Sequence, residues 1–122
     1  EHQLLFYPAL RRDMATESYR EFAEGYYLTR DAMAFCWENY LGERRNDYAE
    51  PLHADSLRGL PPATILSCEY DPLRDEAEQY AQRLQEAGVT VRCVRLHGKI
   101  HACLHMLGLT PAIHYPSELA RG

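Results

Sequence analysis

The sequence predicts an α/β fold with about three parallel strands and flanking helices, and three observations carry that expectation. Two short runs, Gln3-Leu4-Leu5-Phe6-Tyr7 and Ala63-Thr64-Ile65-Leu66-Ser67-Cys68, are continuously apolar or β-prone, the pattern of parallel strands buried on both faces. A valine-rich alternating stretch from Val89 to Leu96 reads as a further strand. Between the last two lies a helical pattern of the length that a right-handed parallel crossover requires.

Each element has its own local signals. The first run is closed by Pro8, and residues 9 to 27 are mixed, carrying Tyr19, Phe22, Tyr26 and Tyr27. Thr29 is placed to cap a helix whose apolar residues Met33, Cys36, Trp37, Tyr40 and Leu41 fall at helical spacing, and Gly42 is placed to end it. Glu43 to Pro62 is polar and contains Pro51, Gly59, Pro61 and Pro62, so it reads as loop with room for one short turn of helix. Glu69-Tyr70-Asp71-Pro72 leads from the second run into a helix over Leu73 to Ala87. Its buried face is marked by Ala77, Tyr80, Ala81, Leu84 and Ala87, and Gly88 stops it. His97-Gly98-Lys99 ends the last strand, Ala102 to Leu109 reads as a short apolar helix, and Pro111 and Pro116 break the tail.

The chain has 122 residues, 13 Lys and Arg against 18 Asp and Glu, and a net charge of −5, so no basic field exists to attract a phosphate backbone. Nucleic acid is excluded as a partner. No apolar stretch approaches the roughly eighteen residues of a membrane span, and the composition is that of a soluble, cytoplasmic domain. The first residue is Glu1 rather than Met, and a strand pattern begins within three residues of it, which reads as a piece of something longer. Cys36, Cys68, Cys93 and Cys103 match no zinc spacing or dense disulfide framework, and are expected as buried reduced thiols.

Chemistry in an open α/β sheet gathers beyond the carboxyl ends of its strands. Two titratable residues fall there: Asp71 after the second strand and His101 after the third. On adjacent strand-end loops the carboxylate can accept from imidazole Nδ1–H, leaving Nε2 to take a proton from a nucleophile, which is two-thirds of a hydrolytic triad. The nucleophile is not among this chain's serines. Ser18, Ser56, Ser67 and Ser117 lack the flanking glycines of a strained elbow, and neither Gly-x-Ser-x-Gly nor His-Gly-Gly-Gly occurs.

Those residues lie within a specific pattern. Tyr70-Asp71-Pro72-Leu73-Arg74-Asp75-Glu76, with Tyr80-Ala81-x-x-Leu84 and Ala87-Gly88-Val89 behind it, resembles the acid-bearing segment of the bacterial hormone-sensitive-lipase-like esterases, the α/β-hydrolase fold-3 group. Leu4-Leu5-Phe6-Tyr7-Pro8-Ala9-Leu10 resembles the strand after the nucleophile helix in that group. Glu24-Gly25-Tyr26-Tyr27-Leu28-Thr29 resembles the entry to its cap-associated helix, and Leu60-Pro61-Pro62-Ala63 the entry to its acid strand. The resemblance implies that residues 1–122 are the C-terminal part of one α/β-hydrolase domain, that 11–42 form a cap-associated pocket segment, and that Asp71 and His101 are triad acid and base. It implies a carboxylic ester hydrolase acting on a small ester without a cofactor, with nucleophile and oxyanion hole outside this chain and the isolated chain inactive. The chain departs from the group after the histidine, where Ala102 and Cys103 stand in place of the usual Gly and Phe, and Lys99 occupies a commonly apolar position.

Simpler roles compete for several residues. Asp71 before Pro72 can be a turn former, and Asp75 and Glu76 fit the first turn of a helix, complementing its dipole and local N–H groups. His97, His101 and His105 recur every four residues, but Gly98 interrupts the helix a metal site would need, so no metal is expected. Met33 and Trp37 fit core packing, whereas Tyr26, Tyr27, Phe35 and Cys103 are candidates for the substrate pocket. The rival to an enzyme is a non-catalytic half domain that self-associates, as a homo-oligomer, through exposed strands.

Overall fold

The computed structural model describes residues 1–106. Strands β1 (Gln3–Phe6), β2 (Ala63–Tyr70) and β3 (Val91–Ile100) form one parallel sheet in the order β1-β2-β3. Helices α1 (Glu17–Glu21) and α2 (Arg30–Leu41) lie between β1 and β2, and α3 (Arg74–Glu86) links β2 to β3. Single 3₁₀ turns occur at Pro51–His53, inside the expected loop, and at Cys103–His105, where the sequence predicts a longer helix to Leu109. Leu107 to Leu109, Pro111, Pro116 and Ser117 lie outside the described residues.

Helix α2 begins and ends where its punctuation predicts. The Thr29 hydroxyl accepts from the Ala32 N–H at 3.1 Å, and Gly42 closes the helix at a φ of +56° that a side chain would resist. Met33, Trp37 and Leu41 point inward against Tyr19 of α1 and Leu73 at the entry to α3. In α3 the buried stripe is Ala77, Tyr80, Ala81 and Leu84, which packs on Ile65 and Ala63 of β2 and on Leu10, Leu52 and Leu57. Leu84 has no solvent exposure, so its truncation to Ala removes about 2–5 kcal/mol of stability.

Two expectations are corrected. β1 is not buried on both faces: Leu5 packs into the core, but Leu4 and Phe6 are 52% and 36% exposed, because α3 covers one face of the sheet only. No disulfide joins the four cysteines, but Cys36 and Cys93 are exposed and only Cys68 and Cys103 are buried. β3 also runs four residues past Leu96, through Gly98 at φ +69°.

The extension of β3 carries an irregularity. Partners on β2 and β3 are 28 positions apart from Ala63 and Val91 to Cys68 and Leu96, but 30 apart at Tyr70 and Ile100. A bulge therefore absorbs two residues of β3 just before the strands end. The Glu69 carboxylate accepts from the Gly98 N–H at 2.6 Å and fastens it.

Candidate active site

The bulge sets Tyr70 opposite Ile100, so the next residues along each strand, Asp71 and His101, emerge side by side at the carboxyl end of the sheet. Asp71 is fully buried, and its Oδ2 lies 2.9 Å from Nδ1 of His101, whose side chain is 19% exposed. Its other oxygen, Oδ1, accepts from the Leu73 N–H at 2.9 Å. Asp71 thus serves both competing roles: one oxygen forms the turn into α3 and the other faces the imidazole. With Nδ1 held by the carboxylate, Nε2 is left to exchange a proton with another group, and the buried carboxylate stabilises the imidazolium so formed.

Tyr7, at the end of β1, forms the floor beside this pair. Its ring meets the His101 ring edge-on at 4.7 Å between centroids and 61° between planes, and its hydroxyl lies 2.7 Å from Nδ1 of His105. Burial pushes the Tyr7 phenol up to about 12, so it stays protonated. Below it, Cys68 Sγ and Cys103 Sγ are 3.6 Å apart. Their mutual contact and then burial push the Cys68 thiol up, which keeps it uncharged. Between His101 and Cys103, Ala102 adopts a left-handed conformation at φ +61°.

The remaining candidates are placed unevenly. Tyr26 stacks on Tyr70, 5.8 Å away and 19° from parallel, with Phe22 edge-on to both and the Arg74 guanidinium 5.2 Å from the Phe22 ring, so it belongs to an aromatic group bordering the acid loop. Tyr27 and Phe35 are 65% and 70% exposed and join no described aromatic contact. Cys103 is 1% exposed and packs with Tyr7, Cys68 and Leu96 beneath the histidine, offering no surface to a pocket. Met33 and Trp37 pack in the core.

Among the described serines, Ser18 and Ser67 are fully buried and donate to the Pro72 carbonyl and the Glu78 carboxylate, at 2.7 and 2.8 Å. The Ser56 hydroxyl accepts from the Arg58 N–H. No group of metal-binding side chains forms among the described residues, and no described helix is long and apolar enough to cross a membrane.

Sequence reasoning places Asp75 and Glu76 in the local dipole of α3, and the structure gives them longer reach. Asp75 Oδ2 accepts from the Ser18 N–H at 2.8 Å, while Ser18 Oγ accepts from the Asp75 N–H at 3.2 Å, locking α1 to α3. Glu76 Oε2 accepts from the N–H groups of Leu10 and Arg11, at 2.6 and 2.9 Å. Its other oxygen, the Tyr19 hydroxyl and Trp37 Nε1 are buried together without a well-formed hydrogen bond. Burial raises the Glu76 carboxyl to about 7 against the pull of those two N–H groups.

Comparison with known proteins places the chain in a family. Residues 1–105 match the family model for the alpha/beta hydrolase fold. An arylesterase of Saccharolobus solfataricus is 36% identical over 80% of this chain and 33% of its own length. The carboxylic ester hydrolase LipN of Mycobacterium tuberculosis is 37% identical over 88% of this chain and 30% of its own length. The crystal structure of a thermostable esterase from Pseudomonas putida superposes with a TM-score of 0.88 and 43% identity, covering 98% of this chain and 40% of that one. The chain spans about a third of the length of the curated relatives it matches.

Proposed function

This chain belongs to the α/β-hydrolase fold family, in its hormone-sensitive-lipase-like esterase group, and from that premise we propose that it supplies the acid and base of a Ser-His-Asp triad that cleaves small carboxylic esters. The observation that carries the proposal is the 2.9 Å contact of buried Asp71 Oδ2 with His101 Nδ1 at the sheet's carboxyl end. His101 Nε2 takes the proton of a serine hydroxyl as that oxygen bonds to the ester carbonyl carbon, then returns it to the departing alkoxide. The acyl-enzyme is opened by water in the same way. Asp71 orients the ring through its Oδ2. A serine and oxyanion donors supplied from outside residues 1–122 are part of this reading, supported by the engagement of the described Ser18, Ser67 and Ser56 elsewhere and by the lack of a Gly-x-Ser-x-Gly motif in the sequence.

Hydrolysis of a short-chain chromogenic ester tests this. The polypeptide as its coding sequence makes it is expected to turn the ester over and to lose that activity on His101→Ala, while residues 1–122 alone stay at background. Turnover by the 122-residue chain that depends on His101 would overturn the claim that the nucleophile lies elsewhere.

A second reading has its own observation. β1 has no described partner on its outer edge, and its own Leu4 and Phe6 are exposed, a surface suited to self-association of the isolated chain.

A further inference from the structure

The turn that carries His101 is tied down at two points four residues apart. At its start His101 meets Asp71, which follows β2, and at its end His105 Nδ1 lies 2.7 Å from the hydroxyl of Tyr7, which follows β1. Between the ties Ala102 sits at φ +61°, ψ +17°, a left-handed conformation that a residue with a Cβ resists. Left to itself, such a turn relaxes toward negative φ and carries the imidazole away from the carboxylate.

Tyr7 is built to resist that. Its own amide donates to the Leu66 carbonyl at 2.7 Å, it is buried among Cys68, Leu96 and Cys103, and its ring lies against His101. We propose that Tyr7 and His105 are positioning residues for the Asp71–His101 pair, their hydrogen bond holding the strained turn at Ala102 so that the imidazole stays against the carboxylate. The proposal rests on that pair being the triad acid and base. Burial holds the Tyr7 phenol protonated across ordinary pH.

The test is a cycle of variants in the polypeptide as its coding sequence makes it. Tyr7→Phe keeps the ring and removes the hydroxyl, and His105→Ala removes the exposed partner with little risk to folding. Each is expected to lower kcat about fivefold, the fold-change equivalent of one net hydrogen bond, with KM little moved. Together they lose no more than either alone, because both cut one tie.

Ala102→Gly supplies the decisive arm. Glycine adopts the turn without strain, so Tyr7→Phe is expected to cost less than about twofold when it is combined with Ala102→Gly. Equal losses with and without Ala102→Gly, or unchanged kcat in Tyr7→Phe and His105→Ala, would overturn the proposal. Proton NMR of the ring N–H of His101 gives a readout that needs no turnover. Its low-field signal weakens in Tyr7→Phe and returns in Tyr7→Phe/Ala102→Gly if the tie positions the ring, and is indifferent to Tyr7 if it does not. Full activity in His101→Ala would sink the triad reading itself, and the NMR comparison would still decide the tie.

Discussion

Asp71 divides its two carboxylate oxygens between two jobs: Oδ1 accepts from the Leu73 N–H at 2.9 Å and Oδ2 faces His101 Nδ1 at 2.9 Å. The division makes the structural and chemical roles of one residue separable by substitution. Asn can keep an oxygen on the Leu73 N–H while losing the charge that steadies the imidazolium, whereas Ala loses both.

Asp71→Asn is therefore expected to lower kcat by about 10⁴-fold while costing less than about 1 kcal/mol of stability, and Asp71→Ala to add the loss of the turn bond, about 1–2 kcal/mol. Ester kinetics and thermal melts on the same preparations check this. An Asn variant with near-normal kcat would leave Asp71 as a turn former alone.

The bulge that aligns the pair supplies another expectation. Glu69 accepts from the Gly98 N–H at 2.6 Å, and the extra residues of β3 lie under that bond. Glu69→Ala is expected to cost about 1 kcal/mol of stability and to lower kcat by more than that loss alone explains, because His101 is carried by the strand the bulge shifts. Hydrogen exchange at Gly98 rises in the same variant, and an unaltered exchange rate would show that the bulge holds without the carboxylate.

How far the sequence could be read depends on the range of each interaction. Helix α2 was legible because Thr29, Gly42 and the Met33, Trp37, Leu41 stripe act within a turn or two of one another. Asp71 and His101 were legible as neighbours because strand ends in a parallel βαβ unit converge, and no finer geometry was needed to expect them together. The contacts of Glu76 with Leu10 and Arg11, and of Tyr7 with His105, join residues 66, 65 and 98 positions apart. Nothing in local periodicity distinguishes an acid that stabilises its own helix from one that reaches another segment. The exposure of Leu4 and Phe6 was illegible for a related reason, since an apolar strand reads alike whether one face or both are covered. The departure at Ala102 was visible as a replaced glycine, but only its φ of +61° shows what that replacement costs.

Glu76 makes stability depend on pH in a direction opposite to most carboxylates. Its folded value of about 7 lies above the ordinary 4.5, so the folded state binds more protons than the unfolded state between those values, and stability falls as pH rises through that window. The loss, complete above about pH 7, is on the order of 3 kcal/mol. Glu76→Gln keeps an acceptor for the Leu10 and Arg11 N–H groups without the charge, and is expected to flatten the dependence of Tm on pH between about 4.5 and 7. A Gln variant with the same pH profile as the parent would place the titration elsewhere.

The open edge of β1 sets the last expectation, for residues 1–122 expressed alone. Leu4 and Phe6 present exposed apolar side chains on a strand with no described outer neighbour, an arrangement that invites association between copies. Sedimentation is expected to show association that grows with concentration. Leu4→Lys and Phe6→Lys together should return the chain to a monomer, since charge on the apolar face flanking the open edge opposes its burial between copies. Both substitutions lie on the exposed face, away from Leu5 and the core, so the monomer should melt close to the parent. A parent chain that stays monomeric at high concentration would remove the self-associating reading and leave the esterase proposal standing alone.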